Sequence, residues 1–437
     1  MKSTRLISMS AISLLAVLAM PVRPAAQESS ATQKPAPTQY TVTDLGPVGP
    51  PPGQAFFVTD NGLVAFSAAT HHGTEHAFLW YKGLKLDIGK PGLGGPNSVP
   101  FGVNDRFQAV GEAETTASDP NGEDFCGFKA LGLPSSGTCL PFLWQNGVMH
   151  PLPTLGGSNG AANMINNQGQ AAGLAETSTA DPNCPAPQVL QFVPVLWEKG
   201  KIQALPTVAG DLDGLALAVN ESGQAVGASG DCAAFNPVLY FSLQPLHALL
   251  WQNGNATDLG NFGGTGHGSG NLALNLNNRG QVVGSSDLPG DTVSHAFLWT
   301  EETGMQDLGT LSGDASSSAI AINDSGEIVG VSISPQFSLR AFVFRNGVMT
   351  DLNTIADSPL ILMLACSINS RGEIVGFAVT KTGEPHAYLA TPARGAATSE
   401  NTSQGVISPM VLTEDARKLL QQQPALGRLG VRLMGPR

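Results

Sequence analysis

The chain has 437 residues, of which 42 % are hydrophobic and only 13 % are charged. This composition supplies enough apolar side chains for a large core and excludes a wholly disordered chain, while 52 Gly and 31 Pro indicate many turns. The formal net charge of −12 argues against a nucleic-acid partner, because such proteins need a clustered basic surface.

Residues 1–26 are predicted to be a secretory signal peptide. Two basic residues precede an apolar run over 7–20, and small residues at 24–26 offer a cleavage point. The run is shorter than the roughly 20 residues that a membrane-spanning helix needs. We therefore expect an exported protein, extracellular or periplasmic, with no membrane span and with a disordered leader over 27–39.

Three short phrases recur along residues 40–392. Ile-Asn-Asp-Ser-Gly-Glu-Ile-Val-Gly at 322–330 returns in related forms, for example at 368–376. His-Ala-Phe-Leu-Trp stands at 295–299, and Asp-Leu-Gly follows about ten residues later, at 307–309. Each phrase occurs seven times, which predicts a repeat architecture.

Each repeat is expected to form four strands in a meander. Asn-x-x-Gly is typical of a hairpin loop between the first two strands, and Asn-Gly does the same between the last two. The Ala-Phe-Leu-Trp strand does not alternate with polar residues, so neighbouring repeats must cover both of its faces. Seven such units predict an all-β fold, a seven-bladed β-propeller of four-stranded antiparallel blades.

The ends of the repeat region predict how the ring closes. The region begins with a fourth strand that lacks a blade, at 40–46, and ends with a third strand that lacks a partner, at 386–389. Pairing the two completes a seventh blade from both ends and removes two exposed sheet edges. An open solenoid is the alternative, and whole repeats would be expected at its ends.

These phrases resemble those of the bacterial extracellular HAF-repeat proteins over residues 40–392. The resemblance implies a secreted, propeller-like protein and carries over no activity and no residue role. Phe107 stands where the other copies have the turn Gly, so we expect this hairpin to turn differently. Leu140, Val193 and Arg340 replace the His of the second phrase.

Repeated His and Trp residues favour structural roles over ligand binding. Four His share one repeat position that Leu or Val fills elsewhere, which a metal ligand would not tolerate; they are His76, His247, His295 and His386. All five Trp likewise share one position and are expected to pack between blades. An Asp-Leu-Asp-Gly segment at 211–214 lacks the further ligands of a calcium loop, and no catalytic motif is present. We predict no cofactor and no metal.

Three consecutive repeats are lengthened between their second and third strands. The long connections are 112–139, 174–192 and 228–246, where the other repeats have about nine residues. In a meander blade this connection leaves on the same face as the link to the next blade. The three loops, which we call the crest, are therefore expected to lie side by side, and binding sites usually lie on such loops.

Four of the five Cys lie in the crest, and in an exported chain they can form disulfides. Among the three pairings that four Cys allow, we predict Cys126–Cys139 within one loop and Cys184–Cys232 between adjacent blades. Cys366 is expected to be free and buried.

The crest also carries carboxylates and aromatic side chains, a mixture that suits sugar or peptide binding. The acids could also hold a metal, and a solvated acidic rim is a further alternative. The candidate ligand-binding residues are Asp119, Glu123, Asp124, Phe125, Asp181, Asp231 and Tyr240.

The sequence thus predicts a non-catalytic module that binds an extracellular carbohydrate or protein through the crest. The alternatives are a polysaccharide hydrolase or lyase and a purely structural surface protein. An enzyme would gather two carboxylates and a cation or His near the channel mouth. Residues 393–437 are expected to be a linker and a basic tail, with one short amphipathic helix over 413–423.

Overall fold

Seven antiparallel sheets form the blades of a β-propeller in the computed structural model, which describes residues 39–49, 53–232, 246–265 and 271–393. The prediction of seven four-stranded blades is confirmed. The predicted signal peptide, the leader before residue 39 and the tail helix lie outside the described residues. Within the described part of the chain, no helix has the length and apolar character that crossing a membrane requires.

The first strand of each blade contacts the first strands of its neighbours and so lines the centre of the ring. From the innermost to the outermost strand, the blades are: blade 1, β2 (Ala55–Val58), β3 (Val64–Ala69), β4 (Glu75–Tyr81), β5 (Leu84–Asp87); blade 2, β6 (Gly94–Val103), β7 (Ala109–Thr115), β8 (Cys139–Gln145), β9 (Val148–Pro151); blade 3, β10 (Gly156–Ile165), β11 (Ala171–Ala180), β12 (Leu190–Glu198), β13 (Lys201–Ala204); blade 4, β14 (Asp213–Val219), β15 (Ala225–Gly230), β16 (Leu246–Gln252), β17 (Asn255–Asp258); blade 5, β18 (Leu272–Leu276), β19 (Val282–Asp287), β20 (Ser294–Thr300), β21 (Gly304–Asp307); blade 6, β22 (Ser316–Ile322), β23 (Ile328–Ile333), β24 (Leu339–Arg345), β25 (Val348–Asp351); and blade 7, β27 (Ile361–Ile368), β28 (Ile374–Val379), β29 (Pro385–Pro392), β1 (Tyr40–Pro47).

Strands from the two ends of the described chain close the ring, as the sequence predicted. Strand β1 pairs antiparallel with β29, from Tyr40 opposite Pro392 to Pro47 opposite His386. The structure adds a short fifth strand to this blade, β26 (Ala356–Asp357), which pairs in parallel with β1. It follows a 3₁₀ turn at Leu352–Thr354, where Asn replaces the Gly of the third phrase.

The Asn of the first phrase stabilises the inner hairpin of a blade and also joins it to the next blade. In blade 4, Oδ1 of Asn220 accepts hydrogen bonds from the N–H groups of Ser222 (3.1 Å) and Gln224 (3.0 Å). Its Nδ2 donates to the carbonyl oxygen of Asn277 in blade 5 (3.1 Å). The same three contacts recur at Asn104, Asn166, Asn277, Asn323 and Asn369. We call the face with these hairpins the Asn-turn face.

The hairpin of blade 2 corrects one prediction, because it turns in the same way as the others. Phe107 adopts a φ of 59°, in the left-handed region that Gly169 occupies in blade 3 with a φ of 85°. Its N–H donates to the carbonyl oxygen of Asn104 (3.2 Å), the bond that the turn Gly makes elsewhere. The Phe107 ring packs edge-to-face on Tyr81 with the ring centroids 5.2 Å apart, which offsets part of the conformational cost.

Each of the four His side chains at the repeated position lies within hydrogen-bond distance of an Asp carboxylate. Nδ1 of His386 lies 2.8 Å from Oδ1 of Asp44, so this pair links β29 to β1. His76 and His295 make equivalent contacts with Asp87 and Asp307, each at 2.9 Å. His247 instead bonds to Asp211, in the link before β14, also at 2.9 Å. In blade 6, Arg340 takes the place of His and bonds to Asp314 (2.8 Å) and Asp351 (3.4 Å). The predicted structural role of the His residues is confirmed.

Trp side chains pack between blades, also as expected. Trp197 and Trp251 are fully buried, and their Nε1–H groups donate to the carbonyl oxygens of Pro153 (2.8 Å) and Pro206 (2.7 Å). Trp197 belongs to the same buried cluster as Val110 of blade 2. The other three Trp are half-buried. Cys366 is buried and free, as predicted.

Candidate functional site: the crest and the channel mouth

The crest connects β7 to β8, β11 to β12 and β15 to β16 on one face of neighbouring blades 2, 3 and 4. The connections themselves span 116–138, 181–189 and 231–245. They are shorter than the predicted loops because the flanking strands extend into them, most of all β11 (Ala171–Ala180). Residues 233–245, including the candidate Tyr240, lie outside the described residues.

Two disulfides brace the crest in the predicted pairing. Cys126 and Cys139 are joined within the first connection, with their Cα atoms 6.0 Å apart. Cys184 and Cys232 join the second connection to the third, with a Cα–Cα distance of 4.8 Å. The second disulfide therefore crosses from blade 3 to blade 4 and fixes the two loops relative to each other.

Glu123 links the first two crest loops from the inside. Its side chain is fully buried, and Oε1 accepts hydrogen bonds from the N–H groups of Val189 (2.6 Å) and Leu190 (2.8 Å). Oδ2 of Asp119 likewise accepts from Nδ2 of Asn159 in blade 3 (2.9 Å). These two carboxylates use their oxygens to attach the first loop to blade 3.

The other candidate residues differ in exposure. Asp124 is 7 % exposed and accepts hydrogen bonds from N–H groups within its own loop, and Phe125 is fully buried against Phe192. Asp181 is 5 % exposed, whereas Asp231 is half-buried. Most of the predicted ligand-binding side chains therefore contact the protein itself. Ligand binding by these residues stays a prediction.

Buried carboxyl groups at the base of the crest have raised pKa values. Burial raises the pKa of Asp213 to about 8, and the neighbouring carboxyl group of Asp181 adds to this effect. Burial, followed by the negative charge of Glu123, raises the pKa of Glu176 to about 7. In blade 1, burial raises the pKa of Glu75 to about 8. These groups keep a proton at pH values where exposed carboxyl groups have lost theirs.

The described crest and the adjoining link before β14 expose prolines and other apolar side chains among polar ones. Val189 is 36 % exposed, and Leu212, in the link between β13 and β14, is 42 % exposed. Nε2 of Gln191 donates to the carbonyl oxygen of Leu212 (2.6 Å) and holds this link against β12. Three exposed prolines lie in the second crest loop: Pro182, Pro185 and Pro187.

A second candidate site lies at the mouth of the central channel on the Asn-turn face. The side chains that follow the turn Asn, or Thr59 in blade 1, surround a cavity of about 160 Å³: Asp60, Asp105, Asn167, Glu221, Asn278, Asp324 and Ser370. Their amide and carboxylate oxygens accept hydrogen bonds from the preceding blade, as from Asn167 N–H to Glu221 (2.9 Å) and from Asn278 N–H to Asp324 (2.8 Å). The carboxylates in these bonds join blades. This ring was not among the predicted sites, although an acid, amide or hydroxyl at that repeat position indicates it.

Comparisons with known proteins bear on the fold. No family model and no curated protein matches this chain. Among solved structures, a puromycin-hydrolysing peptidase from Mycobacterium tuberculosis is similar at 13 % identity and a TM-score of 0.50, over 83 % of this chain and 56 % of that chain. The β-propeller domain of the Trilobed protease from Pyrococcus furiosus is similar at 8 % identity and a TM-score of 0.47, over 78 % of this chain and 94 % of that chain.

A fucose-binding fungal lectin from Aleuria aurantia, a six-bladed propeller, is similar at 10 % identity and a TM-score of 0.32, over 80 % of this chain and 91 % of that chain. At these identities the likeness concerns the fold alone. The protein is thus a seven-bladed β-propeller with a disulfide-braced crest on the face opposite its Asn turns.

Proposed function

We propose that this protein is an exported, non-catalytic binding module whose crest recognises an extracellular protein or peptide. The observation that carries the proposal is the bracing of adjacent loops by a disulfide between blades and by Glu123 beneath them. The second crest loop is held in place by both contacts, so binding through its described residues would order few side chains and cost little entropy. The two disulfides and the resemblance of the repeats to extracellular HAF-repeat proteins support an exported location.

In the part of the crest that the structure describes, the exposed side chains favour a protein ligand over a sugar. Sugar sites use exposed aromatic rings and charged groups, but Phe125 and Phe128 are buried and Glu123 bonds within the crest. The outward side chains of the described crest include prolines and Val189, with Leu212 beside them, and these suit an apolar contact with a polypeptide. Polar side chains such as Asn183 are exposed among them.

Charge substitutions on the crest test this proposal against a matched control. The double variant Val189→Asp/Leu212→Asp places charges at one exposed position of the crest and at one of the adjoining link before β14. Val148→Asp/Val348→Asp does the same on outer hairpins of the Asn-turn face, where the side chains are 51 % and 38 % exposed. Residues 27–437 of each form would be used to capture proteins by cross-linking in medium conditioned by the source cells.

A partner captured by the parent and the control, and lost by the crest variant, is the expected result. A partner that both variants retain would contradict the role of the crest. A glycan array with the same proteins tests the carbohydrate alternative, and glycan binding lost only in the crest variant would replace the protein ligand by a sugar. Degradation of a bound glycan would favour the hydrolase or lyase alternative.

A further inference from the structure

Two cysteines and two carboxyl groups converge under the crest where blades 3 and 4 meet. The sulfurs of Cys184 and Cys232 and one carboxyl oxygen each of Asp181 and Asp213 all lie within 4.8 Å of one another. Asp181 and Cys184 belong to the second crest loop, Cys232 to the third, and Asp213 begins β14. Four groups from three segments thus meet at one point.

The two carboxyl groups are unusual because they lie against each other and each has a buried oxygen without an amide or hydroxyl donor among the described residues. Oδ2 of Asp181 and Oδ2 of Asp213 are buried and receive no hydrogen bond from an amide or hydroxyl group of the described residues. Their residues are only 5 % and 0 % exposed. Oδ1 of Asp213 accepts from the N–H of Phe192 (2.9 Å), so the carboxyl group is held in place beside that of Asp181.

We propose that Asp181, Cys184, Asp213 and Cys232 bind one Zn²⁺ ion when the Cys184–Cys232 disulfide is reduced. Two thiolates and two carboxylates are a ligand set that zinc accepts in tetrahedral geometry. Bonds of about 2.0–2.3 Å place tetrahedral ligands less than about 4 Å apart, so small side-chain movements bring the four groups to the ion. The junction between blades 3 and 4 is then closed either by a disulfide or by a metal.

The exchange between the two forms balances in electrons and protons. A dithiol reductant gives two electrons and two protons to the Cys184–Cys232 disulfide and becomes a disulfide itself. Zn²⁺ then displaces both thiol protons to solvent, so that the two cysteines bind as thiolates. Reoxidation by a disulfide oxidant takes two electrons from the thiolates and releases the ion.

The other disulfide of the crest provides a matched comparison within the same molecule. Cys126 and Cys139 lie near Glu112, so this group offers three ligand atoms instead of four. Glu112 also interacts with the protein elsewhere. The double variant Cys126→Ser/Cys139→Ser therefore removes the second reducible pair and leaves the proposed site complete.

Cobalt binding is the first test, with Co²⁺ as a spectroscopic probe for Zn²⁺. Residues 27–437 of the Cys126→Ser/Cys139→Ser form would be reduced without oxygen and titrated with Co²⁺. We expect one equivalent to bind with a thiolate-to-cobalt charge-transfer band that Zn²⁺ abolishes, and we expect no such band before reduction. Asp181→Asn and Asp213→Asn, each made in this form, should weaken binding at least tenfold.

The second test is the thermal unfolding of the reduced protein. It compares a single form with and without Zn²⁺, so it does not depend on how well the Asn variants fold. Zn²⁺ should raise the Tm of the reduced Cys126→Ser/Cys139→Ser form and leave that of its oxidised form unchanged. The proposal is overturned if the reduced form shows no charge-transfer band, or if Zn²⁺ leaves its Tm unchanged. It is also overturned if both Asn variants bind cobalt as tightly as the parent.

Discussion

Phe107 occupies the same left-handed backbone conformation in blade 2 that Gly169 occupies in blade 3, with φ values of 59° and 85°. The two residues stand at equivalent points of a turn in which an Asn side chain accepts two backbone N–H groups. The Asn therefore determines the turn, and the blade tolerates a bulky side chain at the position that favours glycine.

The difference in stability between two substitutions of Phe107 tests this conformation. A side chain in the left-handed region costs roughly 1–2 kcal/mol, and glycine avoids this cost. Phe107→Gly should thus be more stable than Phe107→Ala by about 1 kcal/mol, measured by denaturant unfolding. If the hairpin turned in the ordinary right-handed region, alanine would be the more stable of the two.

Asn220 should be among the most sensitive polar positions of the ring. Asn220→Ala removes the acceptor for the N–H groups of Ser222 and Gln224 and the donor for the carbonyl oxygen of Asn277. Each unsatisfied buried group costs about 1–3 kcal/mol, so we expect a loss of at least about 2 kcal/mol in the free energy of unfolding. Asn183→Ala, at an exposed crest amide, is the control and should change stability by less than about 0.5 kcal/mol. Equal effects of the two variants would contradict the structural role of the Asn turn.

Stability should decrease as the pH rises from about 5 to 8. Burial raises the pKa of Glu75 to about 8 and that of Glu176 to about 7, from ordinary values of 4.5. The folded protein then binds more protons than the unfolded chain between these values. The stabilisation is fully present below the unfolded pKa and is lost as the pH rises through the folded pKa.

The Tm measured from pH 5 to 8 checks this dependence. Glu75→Gln and Glu176→Gln, which cannot ionise, should each flatten the decrease in Tm. Glu302→Gln, at an exposed position, should leave the profile of the parent unchanged. A parent protein whose Tm rises over this range would contradict the raised pKa values.

The two disulfides should contribute unequally to stability. Cys184 and Cys232 are 48 positions apart in sequence, whereas Cys126 and Cys139 are 13 apart. Loop-closure entropy gives about 4 kcal/mol for the longer loop and about 3 kcal/mol for the shorter one. The corresponding double Ser variants, compared by denaturant unfolding under oxidising conditions, should rank in that order. The reverse order would show that the native contacts of the loops outweigh the entropy of the unfolded chain.

The repeat phrases were enough to predict the blades and the closure of the ring, because each phrase has a local physical meaning, and the positions of the Cys in the lengthened loops predicted the disulfide pairing. Asn-x-x-Gly specifies a turn, and an unpaired strand at each end specifies a partner. The fifth strand of blade 7 was missed because it depends on one altered phrase after Asp351. Composition also could not indicate that Glu123 would point inward, since its partners are N–H groups of a loop 66 positions away.

The contact between His386 and Asp44 joins residues that are 342 positions apart in sequence. Blade 7 therefore cannot form until nearly the whole described chain has been synthesised. Until then β1 has no antiparallel partner, and a chain that stops before β29 leaves the outward edge of β28 unpaired. Such an edge is a template for aggregation. The ring can thus close only when its last strand, β29, has been synthesised. Truncated chains should expose an unpaired strand edge before they lose any core packing.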